Sequence, residues 1–258
     1  MLPDGATAVI TGGGQGIGAA VARVLARAGA RVMVAGRTQA TTERVAGELV
    51  DAGFEAHAAR VDVTDAASVT ALVEEAQGRL GTVDILINNA GQAHSAPIVR
   101  TTLEDWHRML DCNATGTFLC TRGFLPGMLE RRWGRIINIA SVAGLSGAKY
   151  IAAYSASKHA VMGFTRSAAH EVADKGVTVN AVCPGFVDTP MTEQSVANIV
   201  AATGKSREEA LSAILQMTPQ GRLIAPEEVA HAVLMLAATE AKGINGQSIV
   251  IDGGGIQA

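Results

Sequence analysis

Apolar and β-branched residues gather in seven short runs along the chain: TAVIT at 7–11, RVMVAG at 31–36, EAHAARV at 55–61, VDILIN at 83–88, GRIINIAS at 134–141, VTVNAVC at 177–183 and QSIVI at 247–251. Most of these runs are continuous rather than alternating, the pattern of strands buried on both faces. Between them, amphipathic stretches at helical spacing lie near 17–29, 39–52, 66–80, 103–131, 153–174 and 227–239. Strands alternating with helices predict an α/β fold, a doubly wound parallel seven-stranded sheet with helices on both faces.

Several helix starts are readable. Thr101-x-x-Glu104 and Ser206-x-x-Glu209 have the form of capping boxes, and Pro226 before Glu227 and Glu228 suits a first helical turn. No repeat, low-complexity tract or linker divides the chain, so residues 1–258 are expected to form one domain. One interval breaks the rhythm. Between Cys183 and Pro226 about forty residues carry no strand pattern, longer than connections in compact domains usually run. The expectation is a small helical lid at about 188–225, with Val196, Ile199, Val200, Leu211, Ile214 and Leu215 chiefly packing it onto the body.

Composition narrows the function classes. With 48% apolar residues in 258, the chain can bury a large core. A net charge of -3 and a pI near 6.1 supply no basic footprint for nucleic acid, and Arg131-Arg132 reads as a solvated helix end. Cys112, Cys120 and Cys183 are odd in number, form no CxxC pair and have apolar neighbours, which suits small buried residues in a reducing compartment such as the cytoplasm. No run approaches the roughly 18 apolar residues of a membrane span, so a soluble protein is expected. The histidines make no HxxxH or HxH pair, and no metal site is expected.

The first strand runs into TGGGQGIG, Thr11 to Gly18, and then into a helical pattern. Glycines let the backbone turn tightly and approach a diphosphate, whose charge the free N–H groups and positive end of the following helix favour. The glycines Gly12, Gly16 and Gly18 are spaced Gx3GxG. About 20 positions on, where a carboxylate receives the ribose hydroxyls in NAD-binding units, the sequence has Gly36 followed by Arg37 and Thr38. No carboxylate would repel a 2′-phosphate there and a guanidinium can clamp it. The reading is NADP(H), with NAD(H) as the alternative if Arg37 is only a surface loop residue. Asp62, after the third strand, either meets the adenine amino group or serves as a loop anchor.

The stretch YIAAYSASKHAVMGF holds both tyrosines of the chain, with Lys158 four residues after Tyr154. On a helix the two share one face. A free phenol titrates near 10, so proton transfer at neutral pH calls for a nearby cation. Ser141 ends the fifth strand at the carboxyl edge where open α/β sheets bind ligands, and NNAG, Asn88 to Gly91, closes the fourth strand at the same edge. Asn113 falls inside the long helical stretch, where an amide facing the core needs a partner.

Together, TGGGQGIG, NNAG, Asn113, Ser141, YSASK and NAVCPGFVDTPM resemble the short-chain dehydrogenase/reductase family in order and spacing over nearly the whole chain. The resemblance implies a Rossmann-type fold and a catalytic set of Asn113, Ser141, Tyr154 and Lys158. In it Tyr154 is general acid in carbonyl reduction and base in alcohol oxidation, and Lys158 binds the nicotinamide ribose and lowers the tyrosine pKa. Ser141 orients the carbonyl, and Asn113 holds a water that links Lys158 to solvent. It further implies a cofactor cleft formed by Gly12, Gln15, Gly16, Ile17, Gly18, Arg37, Thr38, Asp62, Val63, Asn89, Ala90, Gly91, Tyr154, Lys158, Pro184, Gly185, Val187 and Thr189; Thr189 could instead cap the lid helix.

Substrate positions are expected at Gln92, His94, Val142, Phe186 and Met191. The lid is similar to those of 3-oxoacyl-carrier-protein reductases, polyketide ketoreductases and 3-hydroxybutyrate dehydrogenases, relatives that share a 3-oxo or 3-hydroxy acyl unit. The hydroxybutyrate enzymes carry a His and a Lys where this chain has Ala143 and Ile151. A thioester on CoA or a carrier protein, or a larger neutral ketone, is therefore expected over a small free carboxylate. The alternatives are an NAD-dependent secondary alcohol or hydroxysteroid-type dehydrogenase and, more remotely, a non-catalytic nucleotide-binding redox sensor. Family members commonly pair their long helices and last strand, which implies a homo-tetramer.

Overall fold

The computed structural model describes residues 1–256. In chain order the elements are β1 Thr7–Thr11, α1 Gly16–Arg27, β2 Arg31–Gly36, α2 Gln39–Asp51, β3 Ala56–Arg60, α3 Ala66–Leu80, β4 Ile85–Asn88, α4 Leu103–Leu110, α5 Gly116–Arg131, β5 Gly134–Ile139, α6 Ala152–Glu171, β6 Val177–Pro184, α7 Pro190–Thr203, α8 Arg207–Leu215, α9 Pro226–Ala237 and β7 Ser248–Ile251. All seven predicted strands are present, and they form one parallel sheet in the order β3-β2-β1-β4-β5-β6-β7. This is the doubly wound, Rossmann-type arrangement expected from the sequence.

Two helical layers account for the continuous apolar strands. Ala8 and Ile10 of β1 and Val32 and Val34 of β2 pack with α1, α2 and α9, whereas Val9, Met33 and Ala35 face α3, α5 and α6. Each strand buries both of its faces, so period-two alternation is lost. The order of strands reverses between β1 and β4, and their carboxyl ends open the crevice where such sheets bind ligands.

Two local expectations need correction. The stretch 103–131 is not one helix: a π turn at Asp111–Thr115 separates α4 from α5. Its widened turn shifts the helical phase without changing the composition, so no turn residue marks it in the sequence. The first capping box is also shifted by one residue. Thr102 accepts from the Asp105 N–H at 3.0 Å, and the Asp105 carboxylate accepts from the Thr102 N–H at 3.4 Å. TTLED offers two overlapping boxes, and Thr101 turns its hydroxyl to the Pro97 carbonyl instead. The Ser206–Glu209 box and Pro226 in the first turn of α9 stand where expected.

The lid consists of α7 and α8. Val196, Ala210 and Ile214 form its own small core, with Phe186, Ile199, Val200 and Leu211 half-buried around it. Arg207 donates to both carboxylate oxygens of Glu193 at 2.8 and 2.9 Å, joining the two helices on the outside. Among the described residues no helix is long and apolar enough to cross a membrane.

Candidate active site

The glycine turn fits a diphosphate because side chains have no room in it. Gly12 has φ +64°, and a Cβ there would stand 2.9 Å from the Ala90 Cα; at Gly18 it would stand 2.4 Å from the Gly12 carbonyl oxygen. The start of α1 is thereby pressed against the end of β1. Asn89 holds the turn from β4, donating from Nδ2 to the carbonyls of Thr11 and Gly12 at 3.0 Å each. The Thr11 hydroxyl accepts from the N–H groups of Asn89 and Ala90, both at 3.1 Å.

An open cleft runs from this turn along the strand ends. Its walls include Gly12, Gln15, Gly16, Ile17, Arg37, Thr38, Asp62, Val63, Asn89, Ala90, Gly91 and Thr189. Arg37 is exposed and forms no ion pair among the described residues, so its guanidinium is free for an anion. Asp62 accepts from the Thr64 N–H at 3.0 Å and its hydroxyl at 2.7 Å. Those bonds, the backbone one foremost, hold its carboxyl below the usual range. Asp62 thus anchors its loop, as one of the two readings expected, and it also lines the cleft.

A second, smaller cavity adjoins the first. Ile17, Asn89, Gly91, Thr189 and Met191 line both, and Ser141, Tyr154, Lys158, Gln92, Pro184, Gly185 and Val187 are among the further residues of the inner one. Ser141 Oγ accepts from the Ala143 N–H at 3.1 Å, capping the short 3₁₀ turn Val142–Gly144. The hydroxyl faces the Tyr154 phenol. Lys158 Nζ donates to the Ile139 carbonyl at 2.8 Å and is almost wholly buried, which lowers its pKa to about 8. Burial pushes the Tyr154 phenol above its ordinary value, and the Ser141 hydroxyl opposes that rise.

Asn113 sits in the π turn with its amide fully engaged. Oδ1 accepts from the Gln92 N–H at 2.8 Å, while Nδ2 donates to the Gln92 carbonyl and to Ser157 Oγ, both at 2.9 Å. Both amide hydrogens are therefore spent inside the protein, and the side chain binds the loop after β4 to α6. Its own carbonyl accepts from the Thr117 hydroxyl at 2.8 Å.

Comparison with known proteins follows this geometry closely. The short chain dehydrogenase family matches residues 6–199. The chain belongs to that family. The short-chain dehydrogenase described here is 41% identical over 249 residues to a 3-oxoacyl-[acyl-carrier-protein] reductase of Synechocystis, covering 96% of this chain and 95% of the relative. It is 38% identical over 254 residues to a D-beta-hydroxybutyrate dehydrogenase of Rhizobium meliloti, covering 96% and 97%. Among solved structures, actinorhodin polyketide ketoreductase with NADPH superposes with a TM-score of 0.94 at 40% identity, covering 98% of each chain.

In this short-chain dehydrogenase three of the expected substrate positions lie elsewhere. Phe186 turns into the lid core, where an aromatic ring buries more surface than at the cavity wall. Val142 lies outside the cavity lining, in the turn that Ser141 caps. His94 also lies outside it, with Nε2 3.5 Å from the Asp105 carboxylate. Gly18 underlies the cofactor cleft rather than lining it. Thr189 is the N-cap residue of α7 by position yet makes no capping bond, and its side chain belongs to both cavities. Sequence reasoning missed Thr11, Thr41, Cys112, Ser155 and Ser157. All but Thr41 and Cys112 lay within motifs already singled out. Cys112 lines the cofactor cleft with its thiol pushed up by burial, and Cys120 and Cys183 are likewise buried.

Proposed function

We propose that this short-chain dehydrogenase is an NADP(H)-dependent ketoreductase acting on 3-oxoacyl thioesters or related ketones. The observation that carries the reading is the junction of the two cavities, where Ser141, Tyr154 and Lys158 converge beside a glycine cradle whose far end holds an unpaired Arg37. A Cβ at Gly12 or Gly18 would push the cradle's own backbone apart, the bare turn leaves its N–H groups for a diphosphate, and Arg37 with Thr38 offers a 2′-phosphate its charge and a hydroxyl. When bound there, the reduced nicotinamide supplies a hydride to the carbonyl carbon.

The chain's own residues handle the oxygen. Ser141 turns its hydroxyl hydrogen to the substrate carbonyl and fixes its direction. Tyr154 delivers a proton to the same oxygen as negative charge develops on it, and the raised pKa keeps that proton on the phenol across the neutral range. Lys158, held by the Ile139 carbonyl, places its charge 5.9 Å from the Tyr154 ring centroid and supports the phenolate left behind. Water must refill that proton from solvent after each turnover.

The substrate class rests on the relatives and on two positions in the sequence. Ala143 and Ile151 give a free carboxylate no cation, whereas a thioester or neutral ketone needs none. Gln92 and Met191 are the side chains placed to meet the acyl part. We further propose that the chain works as one catalytic domain, in the cytoplasm, and as a homo-tetramer through α5 and α6. There Phe118 is 43% exposed, stacks edge-on with Phe164 at 6.2 Å and lies under the Arg122 guanidinium. The test is NADPH consumption by the purified protein with a panel of 3-oxoacyl thioesters and ketones, beside NAD reduction with the matching alcohols. Turnover confined to the second assay would reverse the assignment of cofactor and direction.

A further inference from the structure

The turn that carries Tyr154 begins without a cap. Ile151, at the N-cap position of α6, offers no side-chain bond, and Tyr150 before it has φ +70°, a conformation unfavourable for a residue with a side chain. Helix starts of this kind fray, because the first N–H groups have no partners. Yet the phenol two residues into this helix must be held to within a fraction of an ångström for proton transfer.

Two serines inside YSASK fasten the turn from opposite sides. Ser155 Oγ donates to the Ala143 carbonyl at 2.8 Å, joining α6 to the turn that Ser141 caps. Ser157 Oγ donates to the Tyr154 carbonyl at 2.7 Å and accepts from Asn113 Nδ2 at 2.9 Å. Ser157 is fully buried, and the Asn113 amide has both other bonds on the Gln92 backbone. A continuous chain of hydrogen bonds thus runs from Gln92 on the cavity wall through Asn113 and Ser157 to the backbone of Tyr154.

We infer that Ser157 is a positioning residue for the proton donor: where the helix start has no cap, its hydroxyl ties the Tyr154 turn to Asn113 and, through it, to the wall of the inner cavity. It touches neither substrate nor cofactor and acts through Tyr154. This role rests on the ketoreductase reading above. The Asn113 amide serves as the fixed end of the tether because the π turn leaves it no freedom and Gln92 holds its other two bonding groups.

The test compares wild type, Ser157→Ala, Asn113→Ala and the double variant in steady-state ketone reduction, with NADPH affinity read by fluorescence and folding by thermal melting. In Ser157→Ala the NADPH Kd stays at the wild-type value, while kcat falls by about 10-fold to 100-fold, the range expected for a displaced reacting group. The double variant loses no more than Asn113→Ala alone, since both single changes cut the same chain. If Ser157→Ala fails to fold, Ser157→Cys, which keeps the volume and gives up the strong hydrogen bond, carries the same expectation. A folded Ser157 variant with wild-type kcat overturns the inference, as do losses that simply multiply in the double variant. Absence of turnover in the wild type would instead sink the ketoreductase reading, so the two failures are distinguishable.

Discussion

The ammonium of Lys158 stands 5.9 Å from the centroid of the Tyr154 ring, with the Ile139 carbonyl as its one hydrogen-bond partner among the described residues. A buried cation with a single neutral partner is a cost to the folded state. Burial moves its pKa from 10.5 to about 8, which corresponds to at most about 3 kcal/mol. The sign follows from proton counting. Between the folded and unfolded pKa values the folded protein binds fewer protons, so stability rises with pH from about 8 to 10.5, and the full cost applies below pH 8. Lys158→Met is therefore expected to raise the melting temperature of the nucleotide-free protein at pH 7, by less as pH approaches 10, while abolishing turnover. A lower melting temperature for the variant at pH 7 would mean that the Ile139 bond outweighs burial.

Arg37 lines the far end of the cleft, where a 2′-phosphate is expected. The side chain is exposed and, among the described residues, free of ion pairs, and no carboxylate stands at Gly36. Arg37→Asp removes the clamp and adds repulsion. A charged hydrogen bond is worth roughly 1.5–3 kcal/mol, so NADPH affinity should fall by about 10-fold to 100-fold. NADH affinity should hold or improve, because a carboxylate can accept from the ribose hydroxyls. Fluorescence titration with each nucleotide measures both, and an unchanged preference for NADPH would remove Arg37 from the site.

What the sequence made legible was local. The strands, the glycine turn and the Tyr154–Lys158 spacing each depend on neighbours within a few residues, and all stand where expected. The π turn at Asp111–Thr115 was hidden because one wide turn changes the phase of a helix without changing its composition. Ser157 and Thr11 were quoted inside motifs, but their partners, Asn113 and the Asn89–Ala90 backbone, lie more than forty residues away in sequence. Hydrogen bonds at that separation have no periodicity to read. Phe186 went astray for a related reason. An aromatic residue after a Pro-Gly pair at a strand end has two places to go, and only the packed lid shows that Val196 and Ile214 made room for it.

Glycine positions divide by what surrounds them. A Cβ at Gly18 would fall 2.5 Å from Asn89 Nδ2 as well as against the Gly12 carbonyl, so Gly18→Ala must part α1 from the glycine turn. Loss of nucleotide binding and a clear drop in melting temperature are expected. Gly47, exposed on α2, has nothing within 4 Å of its added Cβ. Gly47→Ala should stabilise the protein by about 0.5–1 kcal/mol, the usual gain in a helix interior, and leave binding untouched. Equal melting temperatures for the two variants would contradict the close packing at Gly18.

Tyr154 and Lys158 together set the pH dependence of reduction. Burial holds the Tyr154 proton to higher pH than usual, so the acid form persists through the neutral range and beyond. Lys158, with a pKa of about 8, loses its charge first. As pH rises past that point the phenolate left by proton transfer has no cation beside it, and kcat/KM for ketone reduction should decline with an apparent pKa near 8. Alcohol oxidation needs the phenolate and should rise with pH instead. Tyr154→Phe removes the proton donor while leaving the nucleotide cradle and Lys158 in place, so turnover should fall by about 10²-fold to 10⁴-fold with NADPH affinity retained. Steady-state rates across roughly pH 6–10, a range that brackets the Lys158 pKa, check the profile. A reduction rate that stays level to pH 10 would take the Lys158 charge out of the step, and a phenylalanine variant as fast as wild type would take the proton from Tyr154 and assign it to another group.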